Sequence, residues 1–149
     1  YNTRSAANGT TNEIVIGANA IGQGSNTAVL GSTGITKTLL NGNVGIGTTM
    51  PNSKLEVAGS LSLPYVSIST GYTVTENDYT IHCTANSFTV TLPTAVGIAG
   101  RIYNIKNTGA GTITVDADGT ETIDGLETQS VTTGVNLQLQ STGSGWIVI

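Results

Sequence analysis

Short apolar runs closed by glycine occupy the first third of the chain, and longer stretches of alternating apolar and polar residues occupy the rest. Asn12-Glu-Ile-Val-Ile-Gly17 and Asn26-Thr-Ala-Val-Leu-Gly31 align residue for residue at a spacing of fourteen. Between them lies the turn-rich connector Ala18-Asn-Ala-Ile-Gly-Gln-Gly-Ser25, and Gly42-Asn-Val-Gly-Ile-Gly47 is a looser third copy. Short apolar strands ending in glycine at a fixed spacing predict stacked coils, a β-solenoid or β-roll, over residues 1–47. Two or three such coils, fewer than about 50 residues, leave too much apolar surface in water to stand alone. The single cysteine, Cys83, excludes an intrachain disulfide framework, so self-association is the expected remedy.

Gly42-Asn-Val-Gly-Ile-Gly-Thr-Thr-Met-Pro-Asn-Ser-Lys-Leu-Glu-Val57 follows as a junction, and residues 48–64 read as a neck. Its glycines permit close backbone approach, Pro51 stops a strand, and Lys54 to Val57 restart one. Leu61 and Leu63 then stand exposed unless a partner covers them. From residue 65 to residue 149 the period is two. Phe88, Val90 and Leu92 form one face, as do Ile113 with Val115, Val135 with Leu137 and Leu139, and Trp146 with Val148. Turn signals fall at Asn107–Gly111, Asp118-Gly119, Asp124-Gly125, Thr133-Gly134 and Ser141–Gly145. Six to eight strands at this spacing predict a β-sandwich-like or barrel-like knob. Thr94–Gly100, with two glycines, is at most one helical turn, so the whole chain is expected to be all-β.

Composition agrees. Val, Ile and Leu dominate a 38% hydrophobic fraction, only 9% of residues are charged, and glycine contributes 20 of 149. Five basic side chains stand against nine acidic ones, and Arg4, Lys37, Lys54, Arg101 and Lys106 are scattered, so nucleic acid is not an expected partner. No apolar run reaches the roughly 18 residues of a membrane span, and no signal-peptide pattern opens the chain. A start at Tyr1 instead of Met suggests a fragment.

The junction Gly-Asn-Val-Gly-Ile-Gly-Thr-Thr-x-Pro-x-x-Lys-Leu-Glu-Val resembles one common in bacteriophage tail and head fibres and in related bacterial surface proteins. The Val-x-Ile/Leu-Gly units are similar to head repeats of trimeric autotransporter adhesins, which implies Val15, Val29 and their neighbours in the interior around a three-fold axis. Thr89-Val-Thr-Leu-Pro-Thr-Ala95, Gly100-Arg-Ile-Tyr-Asn-Ile-Lys-Asn107, Thr122-Ile-Asp-Gly125 and Gly145-Trp-Ile-Val-Ile149 resemble a module of phage fibre and virion-decoration proteins. Together these imply a homotrimeric virion component without enzymatic activity. It would contact other virion proteins, a host-surface glycan or protein, and no membrane interior. A bacterial trimeric surface adhesin or extracellular filament subunit is the alternative.

Candidate chemistry is sparse, and neither a catalytic set nor a cofactor site is expected. Asp116, Asp118 and Glu127 mimic positions 1, 3 and 12 of a calcium loop, but Thr120 and Glu121 stand at positions 5 and 6, where glycine belongs at 6. Asp118-Gly119 is better read as a hairpin turn between Ile113–Val115 and Thr122–Ile123. Paired carboxylates in a Gly- and Thr-rich turn lack the dry cleft that a glycosidase needs. His82 is expected to face outward while Tyr79, Ile81 and Cys83 face the core, which separates His82 from Cys83. One histidine supplies no zinc site by itself, although copies meeting at a three-fold axis would. No helix follows Gly42, Gly45 and Gly47 to form a phosphate loop. Tyr65, Tyr72 and Tyr79 are the candidate glycan contacts, whereas Tyr103 and Trp146 are expected to pack in the core.

Overall fold

A computed structural model of the chain describes residues 3–149. Every regular element among them is a β-strand, so the chain is all-β. The residues divide into two units between Ser60 and Leu61.

In the first unit, β1 (Ile14–Ile16) and β2 (Ala28–Leu30) pair in parallel. Their register is Ile14 to Ala28, Val15 to Val29 and Ile16 to Leu30, the fourteen-residue offset of the repeat. Backbone conformation repeats as well. Asn12, Asn19 and Asn26 have φ of 54°, 57° and 62°, and Gly17, Gly24 and Gly31 also have positive φ. The Asn and Gly positions thus recur every seven residues, a half-coil that the apolar pattern conceals because Ala20, Gly22 and Gln23 break it. Asn tolerates the left-handed region that turns the chain at each half-coil. Asn12 and Asn26 are joined side chain to side chain at 3.0 Å. At Gly17 a Cβ would lie 3.1 Å from the Gly31 Cα, so the two coils stack at glycine contact.

β3 (Val44–Ile46) and β4 (Leu55–Val57) form a second parallel pair, Val44 to Leu55 and Ile46 to Val57. Lys54–Val57 therefore does not open the next fold. It returns to the third repeat copy, with Asn43 Nδ2 donating to Pro51 O at 3.2 Å across the turn. The two pairs are separate two-stranded sheets, and a continuous roll over residues 1–47 is not what these ladders show. Val15 and Val29 turn inward but are only half-buried, whereas Ile14, Ile16 and Leu30 point outward and are 56%, 57% and 58% exposed. Ala20 is the one fully buried apolar side chain among the described residues before residue 61.

The second unit has nine strands, not six to eight. β5 (Tyr65–Ile68), β7 (Thr80–Cys83), β9 (Ile102–Asn107), β12 (Asn136–Ser141) and β13 (Trp146–Val148) form a five-stranded sheet. β6 (Tyr72–Thr73), β8 (Thr89–Thr91), β10 (Ile113–Asp116) and β11 (Thr128–Val131) form a four-stranded one. From β5 to β10 the chain alternates between the sheets, and from β7 on each of these strands pairs in parallel with the strand two before it. The chain thus winds three times, then closes with the antiparallel strands β11, β12 and β13. This is a two-layer arrangement, though unlike an ordinary sandwich its first strands are parallel, and the sheets do not close into a barrel.

Both sheets contribute to a single core. Val66, Ile81, Ile105 and Leu137 form one row across the five-stranded sheet. Val90, Leu92, Ile113, Val115 and Val131 contribute from the other sheet and its margins. Burying aliphatic side chains on this scale is worth roughly 25 cal/mol per Å² of apolar surface. The second unit therefore has the core that the first lacks. Trp146 is buried as expected, but Val148 is 41% exposed and Val135 43%, so these two do not share the buried face of their neighbours.

Candidate functional site

β7 alternates as its sequence demands, with Ile81 and Cys83 inside and His82 outside. His82 Nδ1 is hydrogen-bonded to Tyr65 Oη at 2.7 Å, and Nε2 to Thr108 Oγ1 at 2.7 Å. The Tyr65 and His82 rings lie 5.9 Å apart at 47°. Three successive turns of the winding are therefore tied through one imidazole: Tyr65 from β5, His82 from β7, and Thr108 just past β9. Cys83 lies on the opposite side of the strand, and burial pushes its thiol up to about 11. No group of three His, Cys, Asp or Glu side chains that could hold a metal ion occurs among the described residues.

The acidic stretch folds differently from the expected hairpin. β10 pairs with β11, Ile113 to Val131 and Asp116 to Thr128, and not with Thr122–Ile123. Ile123 instead bridges Leu126 and Trp146. Asp116 ends β10 half-buried, and Asp118 is exposed in a turn closed by Glu121 N donating to Asp118 O at 2.9 Å. The Glu121 carboxylate accepts from Thr94 Oγ1 at 2.7 Å and from Ala95 N at 2.8 and 3.1 Å, fastening the β8–β9 connection. Asp124 and Gly125, at φ 51° and 83°, make the tight turn between Ile123 and Leu126.

Of the three tyrosines read as ligand-facing, Tyr65 is the exposed one, at 63%. Tyr72 is half-buried, and its hydroxyl donates to the Asp78 carboxylate at 3.0 and 3.1 Å. Burial and then the Asp78 charge raise the Tyr72 hydroxyl above its usual range. Tyr79, expected in the core, is only half-buried and lies outside the buried cluster. Tyr103 and Trp146 are core residues, with rings 5.6 Å apart at 39°. Tyr103 Oη donates to Thr75 O at 3.1 Å, and burial raises its hydroxyl as well.

Two polar residues emerge that the apolar pattern does not single out. Asn107 is fully buried at the end of β9; its Nδ2 donates to Gly111 O at 2.8 Å and Val131 O at 2.7 Å. Its Oδ1 accepts from Gly109 N at 2.9 Å. It shares parity with Tyr103 and Ile105, so an inward asparagine in an otherwise apolar row was the available signal. Glu13 takes the place of Thr27 in the repeat. Its carboxylate accepts from Ser5 Oγ, from Thr10 Oγ1 at 2.9 Å and from Gly24 N at 2.9 Å. These donors, Ser5 first, hold the Glu13 carboxyl down at about 2.

Comparison with protein-family models, with curated proteins and with solved structures returned no match.

Proposed function

We propose that the chain is a non-enzymatic structural component of a virion fibre, of tail or head, that projects from the particle and attaches to the host surface. In this reading three copies associate. Residues 1–47 form a β-roll shaft, residues 48–64 a neck, and residues 65–149 a sandwich-like knob. The observation that carries it is the uncovered apolar surface before residue 61. Ile14, Ile16 and Leu30 project outward from an in-register parallel ladder, while Ala20 is the one fully buried apolar side chain among the described residues there. A segment with so little core cannot offset its chain entropy as a monomer. Side-by-side copies remove that surface from water, and three is the number that the fibre resemblance supplies. The seven-residue recurrence of left-handed Asn and Gly supports the roll.

Immunogold labelling with an antibody raised against the purified chain tests this reading. Gold on filaments or on the surface of purified particles is the expected result. Gold confined to a bacterial cell envelope supports the adhesin alternative and sinks the virion assignment.

A further inference from the structure

The outer face of the five-stranded sheet carries polar groups that the fold does not use. Strand register sets them in rows. Tyr65, Thr80, Asn104 and Gln138 form one row, and Ser67, His82, Lys106 and Asn136 the next. Ile102, Gln140 and Ile147 form a third. Gln140 Nε2 reaches Gly100 O at 3.3 Å, whereas the amides of Asn104, Asn136 and Gln138 have no hydrogen-bond partner among the described residues. None of the nine carboxylates of the chain lies in these rows. The row from Tyr65 to Gln138 crosses three strand spacings of ~4.8 Å, about 14 Å in all, the reach of a short oligosaccharide.

We infer that this face binds a hydroxyl-rich polysaccharide, an inference that rests on the attachment reading above and gives it a site. Each free amide offers donors and an acceptor on one plane, which suits neighbouring sugar hydroxyls. The exposed Tyr65 ring supplies an apolar surface for the C–H face of a sugar. His82 is a positioning residue here, holding the Tyr65 hydroxyl from one ring nitrogen and anchored to Thr108 by the other. Nucleic acid fits poorly, because Lys106 and His82 are the only basic side chains in the rows and the Lys106 ammonium already donates to Gly134 O. A protein interface core fits poorly too, since aliphatic residues are confined to the third row.

The test is a microarray of neutral and acidic bacterial polysaccharides probed with the full chain, followed by titration of a retained polysaccharide at low and high salt. Retention with an affinity that changes less than about twofold with salt is expected, because hydroxyl recognition does not depend on charge. Tyr65→Ala and Gln138→Ala should each weaken binding about tenfold, the loss of one well-made contact. The melting temperature should stay within the wild-type error for Gln138→Ala, whose amide has no hydrogen-bond partner among the described residues. His82→Ala should weaken binding less than Tyr65→Ala, and His82→Gln should recover part of the loss. No retained polysaccharide, binding abolished by salt, variants that bind like wild type, or a Gln138→Ala chain with altered oligomeric mass would each overturn the site. A blank array with gold-labelled particles removes the site and leaves the fibre; a positive array with gold only on a cell envelope does the reverse.

Discussion

Asn107 shows how a single side chain fixes the path of the chain. Its amide satisfies two carbonyls and one backbone N–H at the place where β9 leaves its sheet. Asn107→Ala would strand all three groups, and a cost of about 3 kcal/mol is expected from the loss of buried partners. Equilibrium denaturation measures it; a cost under about 1 kcal/mol would mean that water replaces the amide. Gly109 beside it is required for space, since a Cβ there would sit 2.1 Å from Ala85 O. Glu13 makes an acid-sensitive contribution. Its carboxyl titrates at about 2 in the fold against an ordinary 4.5, so its stabilisation is complete above pH 4.5 and is lost as pH falls towards 2. Glu13→Gln should flatten the acid dependence of stability in that window, read by circular dichroism during acid titration. Cys83, buried and raised to about 11, should resist alkylation at pH 8 in the native chain and react on unfolding. Its labelling rate then reports how often β7 opens.

Among the elements, the sequence made the faces legible and hid the partners. Val90, Leu92, Ile113, Val115 and Leu139 are buried as their alternation requires. Parity says which side of a strand is apolar, yet it is identical for a parallel and an antiparallel neighbour. That is why the three-fold winding of β5 to β10 was not readable from pattern, and why Thr122–Ile123 looked like the partner of β10. β11, Thr-Gln-Ser-Val, was invisible because only Val131 is apolar. The repeat was legible to the residue: fourteen in the sequence and fourteen in the β1–β2 register. Which aliphatics one chain leaves exposed was not legible from it: Ile14, Ile16 and Leu30 face out of the single chain. The candidate site was legible only in part. Tyr65 stands exposed, but the amides beside it come from strands far apart in sequence, brought together by register. If the outward aliphatics join copies, Ile14→Lys with Leu30→Lys should dissociate the assembly while leaving the core of the second unit folded, because a buried lysine pair cannot be accommodated between apolar faces. Gel filtration beside near-ultraviolet circular dichroism of Tyr103 and Trp146 separates dissociation from unfolding.

For the whole molecule, the two units differ in self-sufficiency. Residues 61–149 bury two aromatic side chains and a dozen aliphatic or small ones between sheets, whereas residues 3–60 fully bury Ala20. On the fibre reading proposed above, the core-poor unit would fold where copies meet. Sedimentation equilibrium on the purified chain tests that claim most directly. Three copies of the 15.1 kDa chain give about 45 kDa, and this mass should persist on dilution through the micromolar range. A folded species at the mass of one chain, with residues 3–60 protected from proteolysis, would contradict it.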